Sequence, residues 1–131
     1  MSVKYVLDTH ALVWSVIDRA RLGARARRAI EGAVAGELAI PSAAIIELGR
    51  IIDNGSVDCG THRPSDLFSD ALTFHTVLPV SLDAALRAPV LRLPHGDPYD
   101  RLIVAEALVL GVPLITKDGN ITDSKIVRAV W

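Results

Sequence analysis

The stretch that decides the fold is Val3-Lys4-Tyr5-Val6-Leu7-Asp8-Thr9-His10-Ala11-Leu12-Val13-Trp14-Ser15-Val16-Ile17. Residues 3–7 are rich in β-formers and carry no charge after Lys4, the pattern of a short buried strand. Residues 11–17 are helix-compatible. Asp8 therefore stands at the carboxyl end of a strand and directly ahead of a helix, where open α/β sheets place their ligands. Helix capping is the alternative reading of Asp8. No polar residue precedes it, and Thr9 is an equally good cap, which favours a site role.

Moving outward, residues 24–35 alternate alanine and arginine and read as an exposed second helix. Residues 37–40 form a short strand closed by Pro41, after which Ser42 is expected to cap a helix from Ala43 to about Ile52. Ile45, Leu48, Ile51 and Ile52 make one apolar stripe on that helix, and Glu47 lies beside it, either wet at the edge or turned toward a cation. Residues 53–64 are loop-formers, and a short helix runs from Ser65 and Asp66 through Leu72. Residues 76–80 read as a strand that Pro79 confines to a sheet edge, and Ser81 caps a helix ending near Ala88.

The segment His95-Gly96-Asp97-Pro98-Tyr99-Asp100-Arg101 then opens a longer helix. Pro98 suits the first turn, Asp97 the N-cap, and Asp100 lies one turn in on the same face. Capping alone explains both acids, because anions favour a helix N-terminus. This helix is expected to run to Leu110 and stop at Gly111, with Glu106 facing solvent. Residues 112–116 form a strand followed at once by Lys117 and Asp118, and residues 126–130 form the last strand. The alternation predicts a single α/β domain over residues 1–131, an α/β/α sandwich around a mostly parallel sheet of about five strands.

The composition agrees: half the 131 residues are hydrophobic and 22% are charged, enough for one aliphatic core. The single cysteine, Cys59, excludes an internal disulfide and a cysteine-based metal site. His10, His62, His75 and His95 show no pair at metal-ligand spacing. No apolar run is long enough to span a bilayer and no signal-peptide layout is seen, so a soluble, cytoplasmic protein is expected. The net charge of −1 does not advertise a polyanionic partner. Arginine nevertheless outnumbers lysine eleven to three, and Arg19, Arg21, Arg25, Arg27 and Arg28 fall together with no acid among them. Arginine forks suit phosphate, which makes Arg19, Arg25 and Arg28 candidates for binding a phosphate-bearing partner, with a solvated helix face as the alternative.

Such a sheet can gather Asp8, Glu47, Asp100 and Asp118, with Asp97 as a fifth acid. Ionised pairs about 4 Å apart cost on the order of 1 to 4 kcal/mol each, so the cluster persists only if it takes up protons or a cation. Oxygen donors without cysteine or histidine favour Mg²⁺ or Mn²⁺. Beside a phosphate, such ions activate water and stabilise a departing oxygen, the chemistry of phosphodiester hydrolysis.

The segment from Tyr5 to Trp14 resembles the opening motif of PIN-domain ribonucleases, especially the toxin subunits of VapBC-type toxin–antitoxin pairs. Ser42-Ala43-Ala44-Ile45-Ile46-Glu47 resembles their second motif, the His95-to-Leu102 segment the third, and Leu114-Ile115-Thr116-Lys117-Asp118 the fourth. The ending Val127-Arg128-Ala129-Val130-Trp131 is similar as well. The resemblance implies a PIN-like fold and a metal-dependent endoribonuclease in which Asp8, Glu47, Asp100 and Asp118 hold Mg²⁺ or Mn²⁺. Asp97, Thr9, Thr116 and Arg101 are then auxiliary, Arg101 pairing with an acid or touching RNA phosphate. It further implies single-stranded or looped RNA as substrate, a cognate antitoxin protein, a homodimer and no membrane association. Tyr99 stands where the family usually has Phe, and Gly49 is atypical after Glu47, weakening its helix by roughly 1 kcal/mol relative to alanine.

Other readings fit less well. A receiver domain needs paired acids after the first strand and a phosphoacceptor after a middle one, but Thr9-His10 and Leu78-Pro79-Val80 stand there. A haloacid-dehalogenase-type phosphatase needs an acid two residues past Asp8, where His10 sits. A non-catalytic PIN-fold module that binds RNA or protein is the remaining alternative, and the full set of acids argues against it.

Overall fold

Tyr5–Leu7 forms β1, the middle strand of a five-stranded sheet ordered β3-β2-β1-β4-β5. The structure, a computed structural model, describes residues 2–94 and 96–131. The other strands are β2 (Leu38–Pro41), β3 (Thr76–Leu78), β4 (Leu114–Ile115) and β5 (Ala129–Val130). Every pairing is parallel: Val6 sits opposite Ala39 on one side and opposite Leu114 on the other. The sheet is thus wholly parallel where the sequence predicts mostly parallel. Parallel strands are covered on both faces, and all four residues of β2 are accordingly buried.

The helices are α1 (Thr9–Ile17), α2 (Ala24–Glu31), α3 (Ser42–Asp53), α4 (Pro64–Phe74), α5 (Leu82–Arg87), α6 (Pro98–Leu110) and α7 (Gly119–Ser124). Single 3-10 turns follow α1, at Arg19–Arg21, and α5, at Ala88–Val90. From β1 the chain steps outward to β2 and β3, then crosses back to place β4 beside β1. The right-handed rule for crossovers between parallel strands assigns α1–α4 to one face and α5–α6 to the other. α1 packs on α2, α3 and α4, α5 packs on α6, and α3 also meets α6. The direction of winding reverses between β1 and β4, so the carboxyl ends of those two strands flank the crevice that such sheets use for ligands. The core is aliphatic, built on Val6, Leu7, Leu12, Leu38, Ile40, Ile103, Leu114 and Ile115, all fully buried.

Several boundaries differ from the sequence expectation. The strands are shorter, because only the residues opposite a partner strand pair. The second helix ends at Glu31 with Gly32 as its C-cap instead of reaching residue 35. Ser42 does not cap α3: Pro41 holds that position, and the Ser42 hydroxyl donates to Leu78 O at 2.6 Å, tying α3 to β3. Ser81 does cap α5, accepting from Ala84 N. Asp97 caps α6, and Gly111 closes it in the left-handed region at φ 69°. Glu106 is the largest correction. It is 4% exposed, not solvent-facing, and its Oε1 accepts both the Ser81 N–H at 2.9 Å and the Ser81 hydroxyl at 3.0 Å. The acid therefore completes the α5 cap from a neighbouring helix.

Candidate active site

One cleft of about 770 Å³ collects Asp8, Glu47, Asp97, Asp100 and Asp118, together with Thr9, His10, Trp14, Arg21 and Lys117. Each acid arrives there because of what its element does locally. Asp8 follows β1 and caps α1, its Oδ1 accepting Ala11 N at 2.8 Å, and the same residue lines the cleft. Asp97 Oδ1 accepts Tyr99 N at 2.9 Å and Asp100 N at 3.3 Å at the head of α6, and Asp100 follows within the first turn. Asp118 caps α7 through Oδ1 and Ile121 N at 3.0 Å. Glu47 stands on α3 and is 8% exposed. The stripe-edge alternative fails because α3 packs against both α1 and α6, which bury that face.

Two threonines organise the carboxylates. Thr9 Oγ1 donates to Glu47 Oε1, joining α1 to α3 through a buried hydrogen bond. The buried Thr116 hydroxyl hydrogen-bonds the Asp8 carboxylate and accepts Asp118 N–H at 3.1 Å, joining the two strand ends.

The electrostatics match the crowding. Burial pushes the Asp8 carboxyl up to about 6, against the lowering effect of Thr116, Ala11 N–H and His10, with Glu47 adding a small further rise. Burial likewise pushes Asp100 up to about 7, and the negative charges of Asp97, Glu47, Asp118 and Asp8 push it further in the same direction. Asp100 thus feels every other acid of the cleft.

Among the described residues, carboxylate oxygens of Glu47, Asp97 and Asp100 lie within 4.8 Å of one another. Oxygens on opposite sides of an octahedral Mg²⁺ are about 4.2 Å apart, so this trio can close on one hard divalent ion with small side-chain adjustments. The donor set, all carboxylate oxygen with no thiol or imidazole in the trio, fits Mg²⁺ or Mn²⁺. Asp97, which the resemblance makes auxiliary, belongs to the tightest group, while Asp8 and Asp118 face the same cleft beside it.

The remaining candidates are placed elsewhere. The Arg101 guanidinium donates to the carbonyls of Ala88, Leu91 and Leu93 at 2.9–3.1 Å, pinning that segment to α6. Arg19 donates to Ser15 O and sits 3.8 Å from Glu31, and Arg25 and Arg28 are exposed on α2. Of that arginine run it is Arg21 that lines the acidic cleft. His95 of the third motif lies outside the described residues. Sequence reasoning passed over Arg21, Trp14, His10 and Lys117 as site residues. His10 and Trp14 are four apart on α1, a spacing that puts them on one face of the helix that Asp8 opens.

Fold and site define a class: parallel α/β domains with a cation-ready acid cluster at the carboxyl edge of the sheet. The chain belongs to the PIN domain family, whose model matches residues 5–125. It is 31% identical to ribonuclease VapC22 of Mycobacterium tuberculosis over 128 residues, 95% of each chain. Its fold is similar to that in the crystal structure of DNA-bound VapBC from Salmonella typhimurium, with TM-score 0.74 and 18% identity over 97% of this chain and 96% of that one. A toxin–antitoxin complex from Klebsiella pneumoniae is also similar, with TM-score 0.69 and 21% identity over 98% and 97% of the two chains.

Proposed function

We propose that the chain is a Mg²⁺- or Mn²⁺-dependent endoribonuclease, the toxin of a type II toxin–antitoxin pair. The observation that carries this reading is the meeting of five acids, from four segments far apart in sequence, in one cleft at the switch point of the sheet. The 31% identity to a ribonuclease over nearly the whole chain supports the same reading.

Glu47, Asp97 and Asp100 would hold the ion, with Asp8 and Asp118 as adjacent ligands or anchors for bound water. A divalent ion held there would supply an activated water and charge stabilisation at the phosphate. The protein groups do the positioning. Thr9 orients Glu47, and Thr116 holds Asp8 against Asp118, so the acids keep their places as charge builds. Lys117 and Arg21 supply positive charge at the cleft and offset the repulsion between RNA phosphate and carboxylates. Unpaired RNA is the substrate that such a groove admits.

An antitoxin segment bearing a cation would close the cleft by pairing with these acids. The apolar face made by Leu82, Leu86 and Val90, each at least 66% exposed, is the surface that a second copy of the chain would cover. Among the described residues no helix is long and apolar enough to cross a membrane.

The test is cleavage of single-stranded RNA by purified protein with Mg²⁺ or Mn²⁺. Cleavage should vanish with EDTA and in Asp8→Asn and Asp100→Asn. Full cleavage by either variant, or cleavage undiminished by EDTA, would overturn the assignment.

A further inference from the structure

The acidic cleft has a second wall of a different chemistry. His10 and Trp14 stand one turn apart on α1, and Arg21 comes from the 3-10 turn just beyond it. The Arg21 guanidinium carbon lies 4.4 Å from the Trp14 ring centroid, within cation–π range. The His10 ring lies near Trp14, with centroids 6.2 Å apart and planes at 37°. Asp18 Oδ2 lies 3.6 Å from Arg21 Nε and steers the guanidinium without burying it, since the arginine side chain stays 61% exposed.

A tryptophan against the core needs no arginine on its ring. An exposed arginine that only solvated the surface would gain little from being held there, because surface ion pairs contribute at most about 1 kcal/mol. The pair instead combines the two groups that unpaired nucleotides require: a flat π surface with a guanidinium plane for the base, and a positive charge for the phosphate. It opens onto the same cleft as the five acids, so a nucleotide held there shares the cleft with a phosphate at the candidate metal centre.

We propose that Trp14 and Arg21 form a nucleotide-binding subsite, in which the base flanking the scissile phosphate stacks on the Trp14–Arg21 pair and Arg21 meets the phosphate of that nucleotide. The inference rests on the ribonuclease reading above for the identity of the bond cut. The subsite selects unpaired RNA, because a base stacked in a duplex cannot reach the pair. Stacking does not depend on hydrogen-bond pattern, so any sequence preference arising here is graded by base size, purines over pyrimidines.

The experiment combines steady-state cleavage of a single-stranded RNA with a titration of tryptophan emission, using Ca²⁺ in place of Mg²⁺ to hold off cleavage. Trp14→Ala should raise KM about tenfold with kcat little changed, and Trp14→Phe, which keeps a ring, should recover most of that loss. Arg21→Ala should raise KM and lower the dependence of log affinity on log salt by about one phosphate contact. Arg21→Lys should restore the salt dependence but not the affinity for the base. In the titration, wild type should show quenching with RNA but far less with the same oligonucleotide made abasic. Trp14→Phe should lose the quenching while Trp131 continues to report.

Unchanged KM in Trp14→Ala and Arg21→Ala, losses confined to kcat, or equal quenching by intact and abasic RNA would each overturn the subsite. Should Trp14→Ala fail to fold, Trp14→Phe and the exposed Arg21 variants decide the matter. If wild type cleaves no RNA at all, the nuclease reading falls, and the emission titration alone then judges the subsite: base-dependent quenching keeps it and absent quenching rejects it.

Discussion

The α3 side of the cleft and the α5–α6 junction each bury a glutamate, Glu47 at 8% exposure and Glu106 at 4%. Both accept a hydrogen bond from a hydroxyl, Thr9 for Glu47 and Ser81 for Glu106. Their surroundings differ. Glu106 Oε1 also takes the Ser81 backbone N–H, and the Ser81 hydroxyl accepts from Ala84 N, so the acid ends a chain of donors that closes a helix. Glu47 faces Asp97 and Asp100 with oxygens inside 4.8 Å, so its neighbours compete with it for a counter-charge. Burial of a carboxylate therefore does not mark a site. The mark is a buried carboxylate surrounded by other acceptors.

The largest expected contrast is in activity. Glu47→Gln should reduce RNA cleavage on the order of 100-fold or more, since even groups standing behind metal ligands are worth about 10- to 100-fold. Its melting temperature should hold or rise, because a repulsive charge is gone. Glu106→Ala should leave the activity of the folded protein intact. Reversed outcomes would dissolve the distinction between the two acids.

A pH series sharpens it further. Asp8 and Asp100 are raised to about 6 and about 7, so their ionisation opposes folding in the metal-free protein. The stabilisation from their protonated forms is full below about pH 4, where both are protonated even when unfolded, and is lost as pH rises through 6 and 7. Metal-free protein should lose on the order of 2 to 3 kcal/mol between pH 4 and 8, a figure already discounted for the part-exposure of Asp100. Saturating Mn²⁺ should remove most of that slope, and Asp100→Asn should flatten it, both read by thermal melting.

Smaller effects belong to the structural glutamate. Glu106→Ala strips two donors of their acceptor and should cost about 2 kcal/mol, a drop of roughly 5 to 10 °C in Tm. Glu106→Gln keeps an acceptor oxygen in place and should fall within about 0.5 kcal/mol of wild type. A Glu106→Gln protein as damaged as Glu106→Ala would mean that the charge, not the acceptor, holds the junction.

The same pair explains what the sequence makes legible. Strands and helices are readable because β1, α6 and Gly111 carry local signals: a charge-free β run, an Asp-Pro start and a left-handed stop. The parallel character of the sheet follows from the alternation of strands and helices, whereas the strand order rests on long-range pairing that no local pattern carries. Asp8 and Asp118 are visible because each stands just past a buried strand and ahead of a helix. Glu106 misleads because its partner, Ser81, is 25 residues away on another helix, and no local pattern encodes that meeting. Ser42 misleads for the same reason, since its hydroxyl finds Leu78 O instead of its own helix. Arg21 goes unnoticed because five arginines look alike until the 3-10 turn aims one of them at Trp14.

Asp8, Asp97 and Asp118 each hold the first turn of a helix through Oδ1 while bordering the cleft. On the proposed nuclease reading, inheritance at these codons is constrained twice. An asparagine there would preserve the turn and leave a well-formed but inert protein, still able to occupy whatever binds its surface. An alanine would loosen the turn and expose the chain to proteolysis. Lineages that silence this gene by single changes should thus split into persistent decoys and vanishing products, according to which replacement arose first.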